Sequence, residues 1–391
     1  MERKKLKVAV IEPIGGHGGN EFYDFGICES VALSNDVKFY TCDETVLHEN
    51  AEVKTEVIKC YKGIYGNAPK FVRGFNYLKG IFCSLFSCLK NKTDIVHLHA
   101  YGFSFFESLS IRLFKLAGFK VIVTVHDIEP FDRFGSEINI NYNKFLKPAD
   151  VIIVHTDFSI ECLSKILNEE NRKKLRKVKS GDLDFVYNKD IPMDEARKAL
   201  SLPLDKKLIL FFGQIKKVKG VDLLINAFNR IARENPDLDL VIAGRPWKVD
   251  INEYLKLIEE DVKNRIHLRL NYIPNEEVPL YFKACDITVL PYRKIYNSSV
   301  ILRAFDYGCA VIASDLPTFK EFVIDGENGL LFKSEDVEDL IDKINFIFEN
   351  EGMIERFKKN AKLFVEENFS REIINRQMNE IFDLVLNNRL K

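Results

Sequence analysis

Short apolar runs alternate with helix-length amphipathic segments along this chain, and the alternation begins afresh halfway through. In the first half the runs are VAVI, VKFY, DIVHLH, KVIVTV and DVIIV, each followed by sequence of helical period. Aliphatic runs of this length separated by helices bury both faces of every strand, which describes a parallel sheet layered between helices. The pattern restarts at KLILFFG, from Lys207, and continues through LDLVIAG, IHLRLNYI, ITVLPY and AVIASD. An α/β chain with two Rossmann-like parallel-sheet domains in tandem is therefore expected. Its 391 residues also exceed what one ordinary core accommodates.

The join is placed near residues 185–200, where VYNKDIPMDEARKALSLPLDKK carries two prolines and a short charged helix but no strand. This makes residues 1–190 the first domain and 191–370 the second. The stretch from about Ser334 to Leu390 reads as helical throughout, and its last part, residues 371–391, is expected to cross back onto the first domain.

A net charge of −1 argues against nucleic acid as a partner. No apolar stretch approaches the roughly 18 residues of a membrane span, and the opening MERKKLKVAVIEPIGG breaks its apolar run at Glu12, so no cleaved leader is expected. The eight cysteines form no CxxC pair. They read as buried free thiols in a reducing cytoplasm rather than as zinc ligands.

Three loops carry candidate chemistry. Gly15, Gly16, His17, Gly18 and Gly19 follow the first strand and precede a helix beginning near Asn20. Such glycines either let backbone NH groups approach an anion or sugar or simply make a tight turn, and their spacing is not GxGxxG. In FFGQIKKVKGVDLLINAF, Gly213, Lys216 and Lys219 follow the first strand of the second domain. Lysines at that strand end can neutralise a departing diphosphate, the other reading being a solvated turn. In PYRKIYNSSVILRAFDYGCAVIASD, Asn297, Ser298 and Ser299 stand ahead of a helix ending before Gly308. They either cap that helix or expose its amide groups to an anion.

The stretches GGHGGNEFYDFGICESVAL, DIVHLHAYG, VTVHDIEPF, ADVIIVHTDFS, FFGQIKKVKGVDLLINAF, LVIAGRP, YIPNEEVPLYFKACDITVLPY and ASDLPTFKEFVIDGENGLLF, in this order, resemble the family-4 glycosyltransferases over nearly the whole chain. The resemblance implies the GT-B fold, two Rossmann-like domains facing a cleft, the first binding acceptor and the second a UDP- or GDP-sugar donor. It implies retaining transfer to a glycan acceptor. Lys219 is then the residue on the donor phosphates, with Lys216 standing in for an arginine usual at the position of Gln214. His126 is expected to touch the donor sugar, or else to be a capped loop histidine, while of His97 and His99 at least one packs. Gly16, Gly18, Gly19, Gly213, Gln214, Asn297, Ser298, Ser299, Arg303 and Glu321 complete the implied donor site. Glu321 serves equally as a surface helix residue.

One departure stands out. Many members bracket the NSS-type segment with two glutamates, where this chain has Ile295 and Arg303. A carboxylate on the ribose from position 303 is thereby excluded, and the chain is similar to a subgroup with a GQI-type loop that lacks the pair. No DxD-like motif ends a strand, so neither a metal nor another cofactor is expected. Two rival readings remain at this level: a GT-B epimerase acting on the nucleotide sugar, and a degenerate protein that binds it without turnover.

Residues 59–92 contain Lys59, Lys62, Lys70, Arg73, Lys79, Lys90 and Lys92 and no acidic residue. Within them Phe71, Phe75, Leu78, Phe82, Leu85, Phe86 and Leu89 recur at helical spacing. This stripe either packs inside the first domain or lies on an anionic membrane, where an acceptor carried on polyprenyl diphosphate would be met. The corresponding location is the cytoplasm, peripheral to the inner face of the cell membrane.

Overall fold

The computed structural model describes residues 4–47, 53–129, 140–184, 187 and 189–387. The chain divides into two compact units, Met1–Val186 with Phe369–Lys391, and Tyr187–Asn368.

In unit 1 the strands are β1 (Lys7–Ile11), β2 (Asp36–Cys42), β3 (Glu56–Tyr61), β4 (Ile95–Ala100), β5 (Lys120–Val125), β6 (Val151–Val154) and β7 (Leu175–Lys177). They form one sheet in the order β3-β2-β1-β4-β5-β6-β7, parallel at every pairing. Its helices are α1 (Asn20–Val31), α2 (Lys70–Asn91), α3 (Phe105–Leu116), α4 (Tyr142–Leu146), α5 (Asp157–Ile166) and α6 (Glu169–Arg172). Helices on both faces are what leave β4 and β6 buried along their whole lengths. Local chemistry sets the helix starts. Ser104 and Glu107 close a capping box on α3, and Thr156 accepts from the Ser159 amide to start α5.

Unit 2 holds β8 (Lys207–Phe212), β9 (Leu238–Ala243), β10 (Ile266–Arg269), β11 (Ile287–Leu290), β12 (Ala310–Ser314) and β13 (Leu330–Phe332). Their order is β10-β9-β8-β11-β12-β13, again parallel throughout. The accompanying helices are α7 (Met193–Ala199), α8 (Val221–Glu234), α9 (Ile251–Leu255), α10 (Val278–Ala284), α11 (Ser299–Asp306), α12 (Val337–Glu349) and α13 (Met353–Phe369). The last helix of the chain, α14 (Arg371–Leu386), belongs to unit 1. It packs on α1, setting Ile374, Met378, Ile381, Phe382 and Val385 into one core with Val8, Val10 and Ile27. That cover explains why α1 is buried almost all round, including Glu21, Asp24 and Glu29.

The apolar runs of the sequence correspond to β1, β2, β4, β5, β6 and β8 to β12, the edge strand β10 included, while β3, β7 and β13 lie outside them. All three are sheet edges, and β7 and β13 are only three residues long. Two expectations are corrected. Cys60 on β3 and Cys83 on α2 are joined as a disulfide, with Cα atoms 5.9 Å apart, so these two are not free thiols. Leu85 leaves the apolar stripe of α2 and is buried in unit 1, while five other members of that stripe stay exposed. Among the described residues, no helix is long and apolar enough to cross a membrane.

Candidate active site

In each sheet the first strand lies between the second and the fourth, so the chain turns in opposite directions after β1 and β4, and likewise after β8 and β11. Loops diverge at such a reversal point and leave a crevice at the carboxyl ends of the strands, where ligands of open α/β sheets bind.

In unit 2 that crevice is built by close backbone contacts that only glycine permits. Gly213, at φ +115°, follows β8, and a Cβ on Gly244 would lie 1.9 Å from its carbonyl oxygen. One 3₁₀ turn, Lys217–Lys219, then leads to Gly220 at φ +65°, where a Cβ would lie 1.8 Å from the Pro291 carbonyl oxygen. Arg293 locks the two loops together: its amide donates to the Val218 carbonyl at 2.8 Å, and its guanidinium to the Lys217 carbonyl and the Asp222 carboxylate. Lys219 Nζ sits 3.7 Å from the ring centroid of buried Tyr292, a cation–π contact that fixes the ammonium at the end of β11. Lys216, Arg245 and Lys248 place their cations 5.9, 5.9 and 5.8 Å from the ring of Trp247. Positive charge is thus gathered over β8 and β9.

The NSS segment completes this edge. Ser298 occupies the N-cap of α11, yet its side chain makes no capping bond. Asn297 Oδ1 is buried with no hydrogen-bond partner among the described residues. A Cβ on Gly213 would lie 3.6 Å from Val300 Cγ2, so the first turn of α11 rests over the lysine loop. The structure therefore brings Gly213, Lys216, Lys219, Asn297, Ser298 and Ser299 to one edge, with Gln214 exposed beside them. Ile295 is buried and its carbonyl accepts from Thr318, so apolar packing occupies that position. Arg303 is buried one turn into α11. Glu321 lies half-buried on a 3₁₀ turn beyond β12, next to Phe319, which packs on Tyr292 at 5.3 Å.

Unit 1 presents different chemistry. Glu12 follows β1 and is buried beside Asp24 of α1. The Ile14 amide donates to Glu12 Oε1 at 3.0 Å and the Gly16 amide to Asp24 Oδ2 at 2.7 Å. A Cβ on Gly15 would meet Asp24 Oδ2 at 2.1 Å, and one on Gly16, at φ +71°, would meet Thr45. The Gly16 amide is thus engaged by the buried Asp24 carboxylate. Gly18, at φ +57°, continues the turn, and the position of a Gly19 Cβ is open.

Around Tyr23 of α1 stand His99, His126 and His155, from the ends of β4, β5 and β6, with ring centroids 5.4, 4.6 and 5.2 Å away. Tyr101 stacks on His126 at 4.2 Å with the planes 3° apart. His97 bonds Thr124 at 2.7 Å and is packing, whereas His126 Nε2 has no partner among the described residues. Burial pushes His97 and His126 well below the ordinary imidazole range and His99 down to about 3, with neighbouring histidines adding to the effect. His126 is therefore neutral at physiological pH. Burial also raises Glu12 to about 8 and holds Asp24 well above the carboxylate range. His99 Nδ1 lies 3.2 Å from Glu12 and 3.6 Å from Asp24, and one atom from each of the three falls within 4.8 Å of the others. These residue types suit shared protons, and equally a small divalent ion.

Glu12, Tyr23, Asp24, Tyr101 and His155 are not among the site residues expected from the sequence. A signal existed for two of them: Glu12 and His155 are ionisable residues standing directly after the apolar runs VAVI and VIIV.

Residues 192–364 match the family described as glycosyl transferases group 1, and residues 99–166 the one described as glucosyltransferase 3-like, N-terminal domain. An uncharacterized glycosyltransferase of Methanocaldococcus jannaschii is 29% identical over 219 residues, 52% of this chain and 55% of that protein. The chain thus spans about half the length of this curated relative. Sucrose-phosphate synthase from Thermosynechococcus elongatus superposes with a TM-score of 0.73 at 19% identity, covering 98% of this chain and 100% of the other. HepE from Anabaena, in complex with UDP and glucose, gives 0.68 at 16% identity, covering 96% and 98%. Both structures share the fold.

Proposed function

We propose that the chain transfers a sugar, with retention, from a UDP- or GDP-sugar to a glycan acceptor, a reading supported by the match of residues 192–364 to the group 1 glycosyl transferases. The observation that carries this reading is the union of Lys216, Lys219 and the start of α11 at the reversal point of unit 2. Two ammonium groups and the amides of a helix start without a side-chain cap make a site for a diphosphate. The likeness in fold to HepE, whose structure holds UDP and glucose, supports a nucleotide-sugar donor.

In the proposed reaction the bond between the anomeric carbon and the diphosphate oxygen breaks while the acceptor oxygen bonds the same carbon from the same face. The acceptor proton passes to the departing diphosphate. Lys219 and Lys216 offset the charge that develops there, in the role a metal plays elsewhere. His126, being neutral, donates a hydrogen bond to the transferred sugar without placing a positive charge beside an oxocarbenium-like centre. Gly16, Gly18, Gly19, Gly213, Gln214, Asn297, Ser298, Ser299, Arg303 and Glu321 complete the proposed donor site. The acceptor is proposed to be lipid-linked, in surface polysaccharide or glycoconjugate synthesis at the inner face of the cell membrane.

The test is to incubate the protein with UDP-, GDP- and ADP-sugars, with and without a lipid-glycan extract, following free nucleotide and the product's anomeric configuration. Acceptor-dependent release with a retained anomer, unaffected by a chelator, is expected. Donor binding without release under every combination overturns the enzymatic reading.

A further inference from the structure

Helix α2 has two apolar faces. At about 100° per residue, Tyr77, Ile81, Ser84, Leu85 and Cys88 share one side, and Phe71, Phe75, Phe82, Phe86 and Leu89 another, turned by roughly 120°. The first face packs on β3: Ile81, Ser84 and Cys88 are buried, the Ser84 and Tyr61 hydroxyls bond at 3.0 Å, and a Cβ on Gly80 would lie 2.3 Å from the Tyr61 ring. Unit 1 is therefore satisfied without the second face. There Phe71, Phe75, Phe82, Phe86 and Leu89 are 78, 58, 45, 65 and 46% exposed. Single exposed apolar residues are ordinary, but five in one row are not.

The charge beside this row has one sign. α2 carries no acidic residue, and Lys70, Lys79, Lys90 and Lys92 are all exposed. Lys79 Nζ lies 4.6 Å over the Phe75 ring, a long side chain covering the apolar row while its ammonium stays in water. A second copy docking here through a symmetric contact would set lysines against lysines.

We infer that the Phe71–Leu89 face of α2 docks on an anionic lipid surface, the phenylalanine rings entering the headgroup boundary and the lysines meeting lipid phosphates. A straight helix of 22 residues, about 33 Å long, offers such a surface along its whole length. For its biological use the inference rests on the proposed lipid-linked acceptor. Its chemistry stands apart from the sugar site.

Flotation of the full chain with phosphatidylglycerol-containing vesicles, against pure phosphatidylcholine vesicles, tests it. Recovery with the anionic vesicles only, reversed by high salt, is expected. Lys79→Gln with Lys90→Gln should lower partitioning about thirtyfold, since each basic side chain is worth about fivefold. Phe82→Ser with Phe86→Ser should lower it at least about tenfold while leaving thermal stability unchanged, because both rings face water. Equal recovery with both vesicle types, or undiminished binding by the phenylalanine variant, overturns the inference. So does a dimer in sedimentation that this variant disperses, which assigns the face to a second copy. UDP- and GDP-sugar binding, measured on the same preparations without vesicles, separates the two readings: lost flotation with intact sugar-nucleotide binding refutes the surface alone, and the reverse refutes the donor site alone.

Discussion

The reversal points of unit 1 and unit 2 sit at equivalent places in sheets that share their strand order over six strands, yet one is lined by buried groups kept neutral and the other by cations held at the surface. At β1 and β4 the loop glycines yield space to the Glu12 and Asp24 carboxyls, and burial holds carboxyls and imidazoles in their uncharged forms. At β8 and β11 the glycines bring backbone against backbone, leaving Lys216 and Lys219 to lean on Trp247 and Tyr292. Topology sets where a crevice opens. Desolvation decides which charge state it holds.

The largest expected difference between the units concerns stability. Phe382 lies wholly buried in the core that α14 adds to unit 1. Phe382→Ala should destabilise unit 1 by about 3–5 kcal/mol. Calorimetry measures this, and an unchanged melting profile would show that α14 adds nothing to the core of unit 1. Next comes Lys219→Ala, expected to lower turnover about a hundredfold with the fold intact. Near-normal turnover by a folded Lys219→Ala protein would remove the phosphate role from unit 2.

A smaller effect is expected at His126, whose replacement by Ala removes one neutral hydrogen bond to the sugar. Turnover should fall about tenfold, with the melting temperature changed by only a few degrees. A large loss of thermal stability with normal activity per folded molecule would make His126 a packing residue like His97.

The finest distinction is in pH dependence. Burial raises Glu12 from 4.5 to about 8, so the fold favours its protonated form. The resulting stability is complete below pH 4.5 and is lost as pH rises toward 8. Glu12→Gln keeps an oxygen for the Ile14 amide and cannot ionise, so its advantage over the wild type should widen across that window. The histidines, shifted downward, cost stability in both proteins as pH falls through 6.5, whereas Asp24 is raised in part by the Glu12 charge, so the widening gap reports the two carboxyls together. A constant gap in thermal midpoint from pH 5 to pH 8 would show that Glu12 ionises as it does in water.

Much of the unit 2 site was legible beforehand because its residues are contiguous. Gly213, Lys216 and Lys219 sit in one loop, Asn297 to Ser299 in another, and the apolar runs before them identify the strands whose ends they follow. The unit 1 cluster was not legible in this way. Tyr23, Tyr101, His126 and His155 come from separate crossovers and meet only through parallel strand order. Glu12 stood out merely as the end of an apolar run, since nothing near it in sequence marks it as buried against Asp24 and His99.

The alternation of apolar runs with helical segments determined two parallel sheets, because strands buried on both faces need apolar side chains at every position. Loop composition likewise determined that cations and small polar residues would end the strands of unit 2. Tertiary structure alone decided which face of α2 stays in water, since helical spacing records apolar side chains but not which of two apolar stripes meets β3. It also decided that Cys60 reaches Cys83, that α14 completes the core of unit 1, and that Glu12 and His126 are neutral. Each of these depends on long-range proximity and exclusion of water, and these are properties of the packed chain.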